Sequence, residues 1–229
     1  SFITPDSDSH RVFFDINTAI IIILFLISAF IVRKIAPKHQ YIFPLAPAVI
    51  ASLFINWDMW AVVTTLAAIY YFDKKKYEQS AIFLGISIAT KFFPIVLLLP
   101  IAIIFYRSSQ LKQLSRYLLT TFSFWAAINI PIAIIYFEGW WRFFKLNLER
   151  GADFGSIWFA LSLLDINVAY LDLIYPLISI GFFIGLAFYL LKLAKLPNLA
   201  AVALFALVIF TTVGKVYSPQ YVLWLTPLA

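Results

Sequence analysis

The chain has 229 residues, of which 63% are hydrophobic, 19% aromatic and only 12% charged, with a formal charge of +6 and a mean hydropathy of +0.94. Soluble domains are roughly half apolar and a quarter charged, so this composition excludes an ordinary globular domain and identifies an integral membrane protein. Cysteine is absent, which excludes a disulfide framework, a thiolate metal site and a cysteine nucleophile.

Stretches such as "AIIIILFLISAFIV" and "IYPLISIGFFIGLAFYLL" are apolar on every side, whereas barrel strands alternate apolar and polar residues. The expected fold class is therefore all-α, a polytopic bundle of transmembrane helices forming a single transmembrane domain over residues 1–229. Lysines and arginines gather in four short connections, "RKIAPKH", "DKKKYEQ", "YRSSQLKQLSR" and "KLAKLPN", which the positive-inside rule places in the cytoplasm and which argue against a nucleic-acid surface.

Threading the chain on that rule puts Ser1 to Asp15 outside and predicts spans over about 16–32, 41–55 and 59–72, with Asp58 at the outer face. Residues 80–106 are too few for two full spans yet have basic flanks at both ends, so a re-entrant or broken helix pair is expected around Lys91–Pro94, where proline removes a backbone donor. A span over about 114–136, an outer loop over 137–158, spans over about 170–191 and 200–213, and a partial span over 219–229 complete the path. The cytoplasmic connections then hold Arg33, Lys34, Lys38, Lys74, Lys75, Lys76, Arg107, Lys112, Arg116, Lys192 and Lys195, against the acids Asp73 and Glu78 alone. The start at Ser1 and the last apolar run, about 11 residues long from Pro219, lead to the expectation of a fragment lacking both ends.

The ionisable groups left for chemistry collect at the outer boundary: Asp58, Lys91, Glu149, Arg150, Asp153 and Lys215. A charge at membrane depth costs on the order of 3 kcal/mol on insertion scales, so it faces a cavity, a partner or the interface. In "INWDMW", Asn56 and Asp58 are candidates for binding or orienting an acceptor, and Asp58 is equally a candidate helix cap. Lys91 either snorkels to the interface or serves as an anion ligand. The loop "LERGADFGSIW" offers Arg150 and Ser156 with two glycines, a pattern for backbone N–H groups approaching an anion, or simply a surface turn. In "GKVYSPQY", Lys215, Tyr217, Ser218 and Gln220 offer donors at the start of a helix whose first turn holds Pro219, a placement that leaves free N–H groups facing out. Tryptophans and phenylalanines in the outer loop read as an interfacial belt. Asn129 and Pro131 mark a kink or helix contact; His10 and His39 lie on opposite sides, so no metal site and no cofactor is expected.

The ordered segments "FFDIN", "INWDMWAV", "LGISIATKFFPIVLLLP", "ERGADFGSIWFAL" and "GKVYSPQYVLWLTPL" resemble bacterial multi-spanning proteins of glycosyltransferase family 87, in the GT-C class, notably the polyprenol-phosphate-mannose-dependent mannosyltransferases. The resemblance runs from about Phe13 to the last residue. It implies a GT-C-like bundle in the cell membrane with its active face extracytoplasmic, a polyprenyl-phosphate-linked hexose donor, commonly mannose, and a lipid-linked glycan or glycolipid acceptor. It also implies a general-base aspartate in a first outer loop, expected upstream of Ser1, so no catalytic residue is assigned within this chain. Lys91, Arg150, Lys215, Tyr217 and Gln220 are then candidates for binding the donor phosphate, and Asn56, Asp58 and Ser156 for orienting the acceptor or a cation. A transporter or flippase, and a non-catalytic subunit of a cell-envelope glycan assembly system, are the alternatives. The charges gather at a boundary rather than the midplane and no internal repeat is visible, which weighs against the transporter.

Overall fold

A computed structural model describes residues 10–229; the expected outer segment before residue 10, and the His10 side chain, lie outside the described residues. Every regular element among them is helical. Among the described residues three helices are long and apolar enough to cross a bilayer: α1 (His10–Ile35), α7 (Leu111–Ile135) and α10 (Leu171–Lys192). Only 22%, 11% and 6% of their most apolar windows are buried within the protein, so their outward faces carry exposed phenylalanine, leucine and isoleucine that water would not tolerate and lipid does.

The core lies between helices that are individually shorter. α4 (Asp58–Asp73) is buried on nearly every side and pairs with α5 (Tyr77–Thr90) after a tight turn in which Lys75 takes φ 57°. Small side chains let the backbones approach, and hydroxyls bridge them. Ser87 Oγ donates to Ala61 O at 2.8 Å and lies 2.8 Å from Thr65 Oγ1, while Ser80 Oγ donates to Ala68 O at 2.7 Å and lies 2.8 Å from Tyr117 Oη on α7. Thr121 Oγ1 on α7 donates to Ala81 O at 3.3 Å, so three helices are joined by one hydroxyl ladder. α4 and α5 have 16 and 14 residues, roughly 24 and 21 Å of helix, so the end of α5 returns to the level at which α4 begins.

α5 stops at Thr90; Lys91 is extended at φ −145°, ψ 143°, and a 3₁₀ turn over Phe93–Leu97 leads into α6 (Leu98–Arg107). At the end remote from this break, Phe72, Tyr77, Phe105 and Tyr117 form an aromatic cluster with centroids 4.9–6.1 Å apart. There Arg107 donates to Leu190 O at 3.0 Å and to Ala194 O at 3.3 Å, taking up carbonyls where α10 ends. Phe13, near the start of α1, meets Trp57 at 6.1 Å, so α1 runs parallel to α4 and brings Arg33 and Lys34 to the end that holds Lys74–Lys76.

Two segments depart from the sequence expectation. Residues 41–55 do not form one span: they hold α2 (Ile42–Leu45) and α3 (Pro47–Ser52), with Ala46 extended between them, because Pro47 drives the residue before it out of the helical region. The segment 137–158, expected as a loop, holds the 13-residue α8 (Phe137–Glu149) and the short α9 (Ile157–Ser162). Trp140, Trp141, Phe144 and Leu148 recur at helical spacing opposite Arg142, Lys145 and Glu149, and Trp140 Nε1 donates to Asn129 Oδ1 at 2.9 Å, fastening α8 to α7. α11 (Leu199–Val213) begins at an Asn198 cap whose Oδ1 accepts from Ala201 N at 2.8 Å.

At Gly85 α5 packs directly on α7: a Cβ there would lie 2.5 Å from Thr121 O and 2.9 Å from Phe124 Cβ. Gly85→Ala is expected to lower stability by roughly 1–3 kcal/mol through this overlap. Thermal unfolding in detergent checks it, and an unchanged or raised midpoint, which helix propensity alone would give, would contradict the packing.

Candidate functional site

The end of the bundle that holds the start of α4 and the break after α5 also gathers the remaining charges. Asp58 is the first residue of α4, and its side chain has no exposure. It is not the helix cap: Trp57 occupies that position without a side-chain bond, while Asn56 Oδ1 accepts from Trp57 N at 2.7 Å. Lys91 Nζ, released by the end of α5, lies 2.9 Å from Asp58 Oδ1 and is 27% exposed. Asp58 Oδ2 has no hydrogen-bond partner among the described residues. The carboxylate is thus held by one cation and by the positive end of α4.

A second ion pair joins elements further along. Lys215, just past α11, is 5% exposed; its Nζ lies 2.6 Å from Asp172 Oδ1 in the first turn of α10 and 3.3 Å from Leu148 O at the end of α8. The ammonium also stands 5.2 Å from the centroid of the Tyr175 ring, a cation–π contact. Asp172, by contrast, is 72% exposed.

A third pair, Arg150–Asp153, sits in the segment between α8 and α9. Asp153 Oδ1 accepts from Phe154 N at 2.7 Å; that bond and the Arg150 guanidinium hold the Asp153 carboxyl below its ordinary range. The segment is clamped onto the strand of chain that carries Lys215. Asp153 N donates to Lys215 O at 2.9 Å, and Trp158 Nε1 donates to Val213 O at 2.7 Å, taking up a carbonyl of the last turn of α11. Gly155 takes φ 78°, and a Cβ there would lie 2.7 Å from Tyr217 O. Of the loop N–H groups, those of Asp153, Phe154 and Ser156 donate to Lys215 O, Asp153 Oδ1 and Asp153 O, and Gly155 serves the close approach to Tyr217. Ser156, expected to orient an acceptor, is buried: its Oγ accepts from Phe159 N at 3.1 Å and donates to Asp153 O at 2.8 Å, capping α9.

Between α8, α10 and the end of α11 lies a cavity of about 590 Å³. Its walls are largely aromatic and aliphatic, from Phe144 on α8, Phe183 on α10 and Phe210 on α11 among others, and its polar lining includes Lys215, Arg150, Asn147 and Tyr221. Tyr221 stacks on Trp224 at 3.9 Å, which stacks on Phe93 at 4.0 Å. Of the five residues expected at a donor phosphate, Lys215 and Arg150 line this cavity. Lys91 does not, although its neighbour Phe92 does. Tyr217 packs edge-on against Tyr221 at 5.8 Å, and Gln220 is buried with its Oε1 accepting from Ser218 Oγ. The helix expected to start at Pro219 is a 3₁₀ turn over Pro219–Tyr221 followed by the four-residue α12 (Val222–Leu225), because Pro227 lacks the N–H a longer helix would need; it offers no helix-end field of consequence.

Sequence reasoning missed Asp172, Tyr175, Tyr221 and the α8 wall. Asp172 carried a signal, an acid at the head of an apolar run, but its partner is 43 residues away. Among the described residues no group of three or more His, Cys, Asp or Glu could hold a metal ion. Compared with family models, with curated proteins and with solved structures, the chain matches none.

Removing one member of a buried pair strands the other. Lys91→Met is expected to destabilise the protein by roughly 3 kcal/mol, and the double variant Asp58→Asn with Lys91→Met by clearly less. Thermal unfolding of the natural protein, Lys91→Met, Asp58→Asn and the double variant checks this; a double variant as unstable as the sum of the two singles would contradict the pairing.

Proposed function

We propose that this chain belongs to an integral membrane glycosyltransferase of the GT-C type, which moves a hexose, mannose in the first instance, from a polyprenyl-phosphate donor to a lipid-linked acceptor at the extracytoplasmic face. The observation that carries the reading is the pairing of shapes in one cavity: apolar walls from α8, α10 and α11 with Lys215 and Arg150 among them. An isoprenoid phosphate has the same division, a greasy chain ending in a compact anion. The ordered segments that resemble glycosyltransferase family 87 include Phe92, Arg150, Lys215 and Tyr221 of the lining, and the inside-positive count favours an outer position for this end of the bundle.

In this reading the acceptor oxygen attacks the anomeric carbon, the bond from that carbon to the phosphate oxygen breaks, and the lipid phosphate leaves with the electron pair. The hydroxyl proton passes to a general base, which the resemblance gives as an aspartate of an outer loop. Negative charge grows on the departing phosphate, and fixed cations in a site poor in water stabilise that growth. Lys215 is placed for this by its burial, and Arg150 adds a planar donor fork. Asp58 and Lys91, behind Phe92, orient the lining rather than touch the phosphate.

A non-catalytic subunit of an envelope glycan system is the second reading; the observation in its favour is that Lys91, Lys215 and Arg150 each already hold a carboxylate. Purified full-length protein in nanodiscs, given labelled mannose on a short-chain polyprenyl phosphate and membrane lipid extract, decides between them. Transfer is expected, with Lys215→Ala lowering the rate by roughly 100-fold. Equal turnover in Lys215→Ala would sink the phosphate role, and no transfer from several hexose donors by folded protein would favour the subunit or a transporter.

A further inference from the structure

We propose that Asp172 is the resident counter-anion of the cavity, a carboxylate that neutralises Lys215 in the empty site and that an entering lipid phosphate displaces. The inference rests on the lipid-phosphate reading of the cavity and adds to it the residue that sets how tightly the anion binds.

The two ends of the Lys215–Asp172 pair are unequal. The lysine is part of the wall, 5% exposed and held from two further sides by Leu148 O and the Tyr175 ring. The aspartate is 72% exposed and rests in the first turn of α10. When the ammonium takes another anion, Asp172 keeps two stabilising influences: water, and the positive end of a 22-residue helix. Lys215 would keep only Leu148 O and the Tyr175 ring, neither of them a counter-charge, and a buried ammonium without one is costly. Displacement therefore exchanges one anion for another at a fixed cation, and the carboxylate loses little by leaving.

The other two pairs lack this property. Asp58 has no exposure, so it cannot move to water without opening the start of α4. Asp153 is tied by Phe154 N within a loop clamped to the chain around Lys215. Among the described residues, the exchangeable carboxylate at a cavity cation is Asp172. Its charge also guards the site: a buried lysine left open to the outer medium would collect any small anion, whereas a resident carboxylate admits only a ligand whose chain adds burial in the apolar cavity.

The test uses purified full-length protein in nanodiscs and three probes: farnesyl phosphate, farnesol and inorganic phosphate, with affinities from intrinsic tryptophan fluorescence. Asp172→Asn is expected to bind farnesyl phosphate roughly fivefold more tightly than the natural protein, the size of an exposed ion pair removed from the competition. Farnesol affinity is expected unchanged, which reports an intact cavity. Asp172→Ser repeats the loss of charge with a smaller side chain should the asparagine variant fail to fold, and Asp172→Glu, which restores the charge, is expected to bind as the natural protein does. Inorganic phosphate is expected to gain in both neutral variants as well, because the carboxylate that keeps small anions out is gone. Farnesyl phosphate bound equally or more weakly by both neutral variants, with farnesol unchanged, would overturn the counter-anion while leaving the lipid-phosphate reading standing. Farnesol and farnesyl phosphate bound equally by the natural protein and by Lys215→Gln would overturn that reading, and the counter-anion with it.

Discussion

A carboxylate with no exposure to water must be met by a cation, and the Asp58–Lys91 pair fixes how this end of the bundle is built. α4 has to begin where α5 ends, which sets their lengths and their antiparallel course. α5 must also stop at Thr90, so that Lys91 can leave the helix in extended backbone and turn its ammonium onto Asp58. The hydroxyl ladder along α4, α5 and α7 holds that register without a hydrophobic driving force, which lipid does not supply between apolar helices. Everything that follows Lys91, including Phe92 at the cavity and Phe93 under Trp224, takes its position from this stop.

From that base the polar end is assembled in layers. The Asp58–Lys91 pair is internal and braces the lining. The loop around Asp153 and Gly155 is clamped to the chain at Val213–Tyr217, which places Lys215 in the wall of an apolar cavity instead of at the surface. α8 then closes the side, tied to α7 by Trp140 and to Lys215 by Leu148 O. The result divides an amphipathic volume between aromatic walls and a charged margin, and the proposed chemistry needs that division: a chain held by burial and a phosphate held by cations.

How much of this the sequence carried depends on range. Composition and uninterrupted apolar runs foretell a helical membrane protein, since α1, α7 and α10 advertise themselves by length alone. Pro94 and Lys91 advertise the break after α5. Pro47 carried an equally local signal against a span over 41–55, which the hydropathy of the run outweighed. The spacing of Trp140, Trp141, Phe144 and Leu148 was that of an amphipathic helix, hidden because a cluster of aromatic residues also marks a membrane interface. The pairings were a different matter. Lys215 with Asp172, and the loop at Asp153 with the chain at Lys215, join residues dozens of positions apart whose meeting depends on how helices pack, and no periodicity encodes it. The cations were therefore visible as candidates, whereas their resident partners were not.

The central claim is that the cavity between α8, α10 and α11 takes a lipid phosphate. Photo-crosslinking of the full-length protein with a diazirine-bearing farnesyl phosphate, followed by peptide mapping, tests it most directly. The account predicts adducts on wall residues such as Phe144 and Phe183, suppressed far better by farnesyl phosphate than by farnesol. Adducts spread over outward positions such as Leu119 and Ile134, suppressed equally by both competitors, would contradict it.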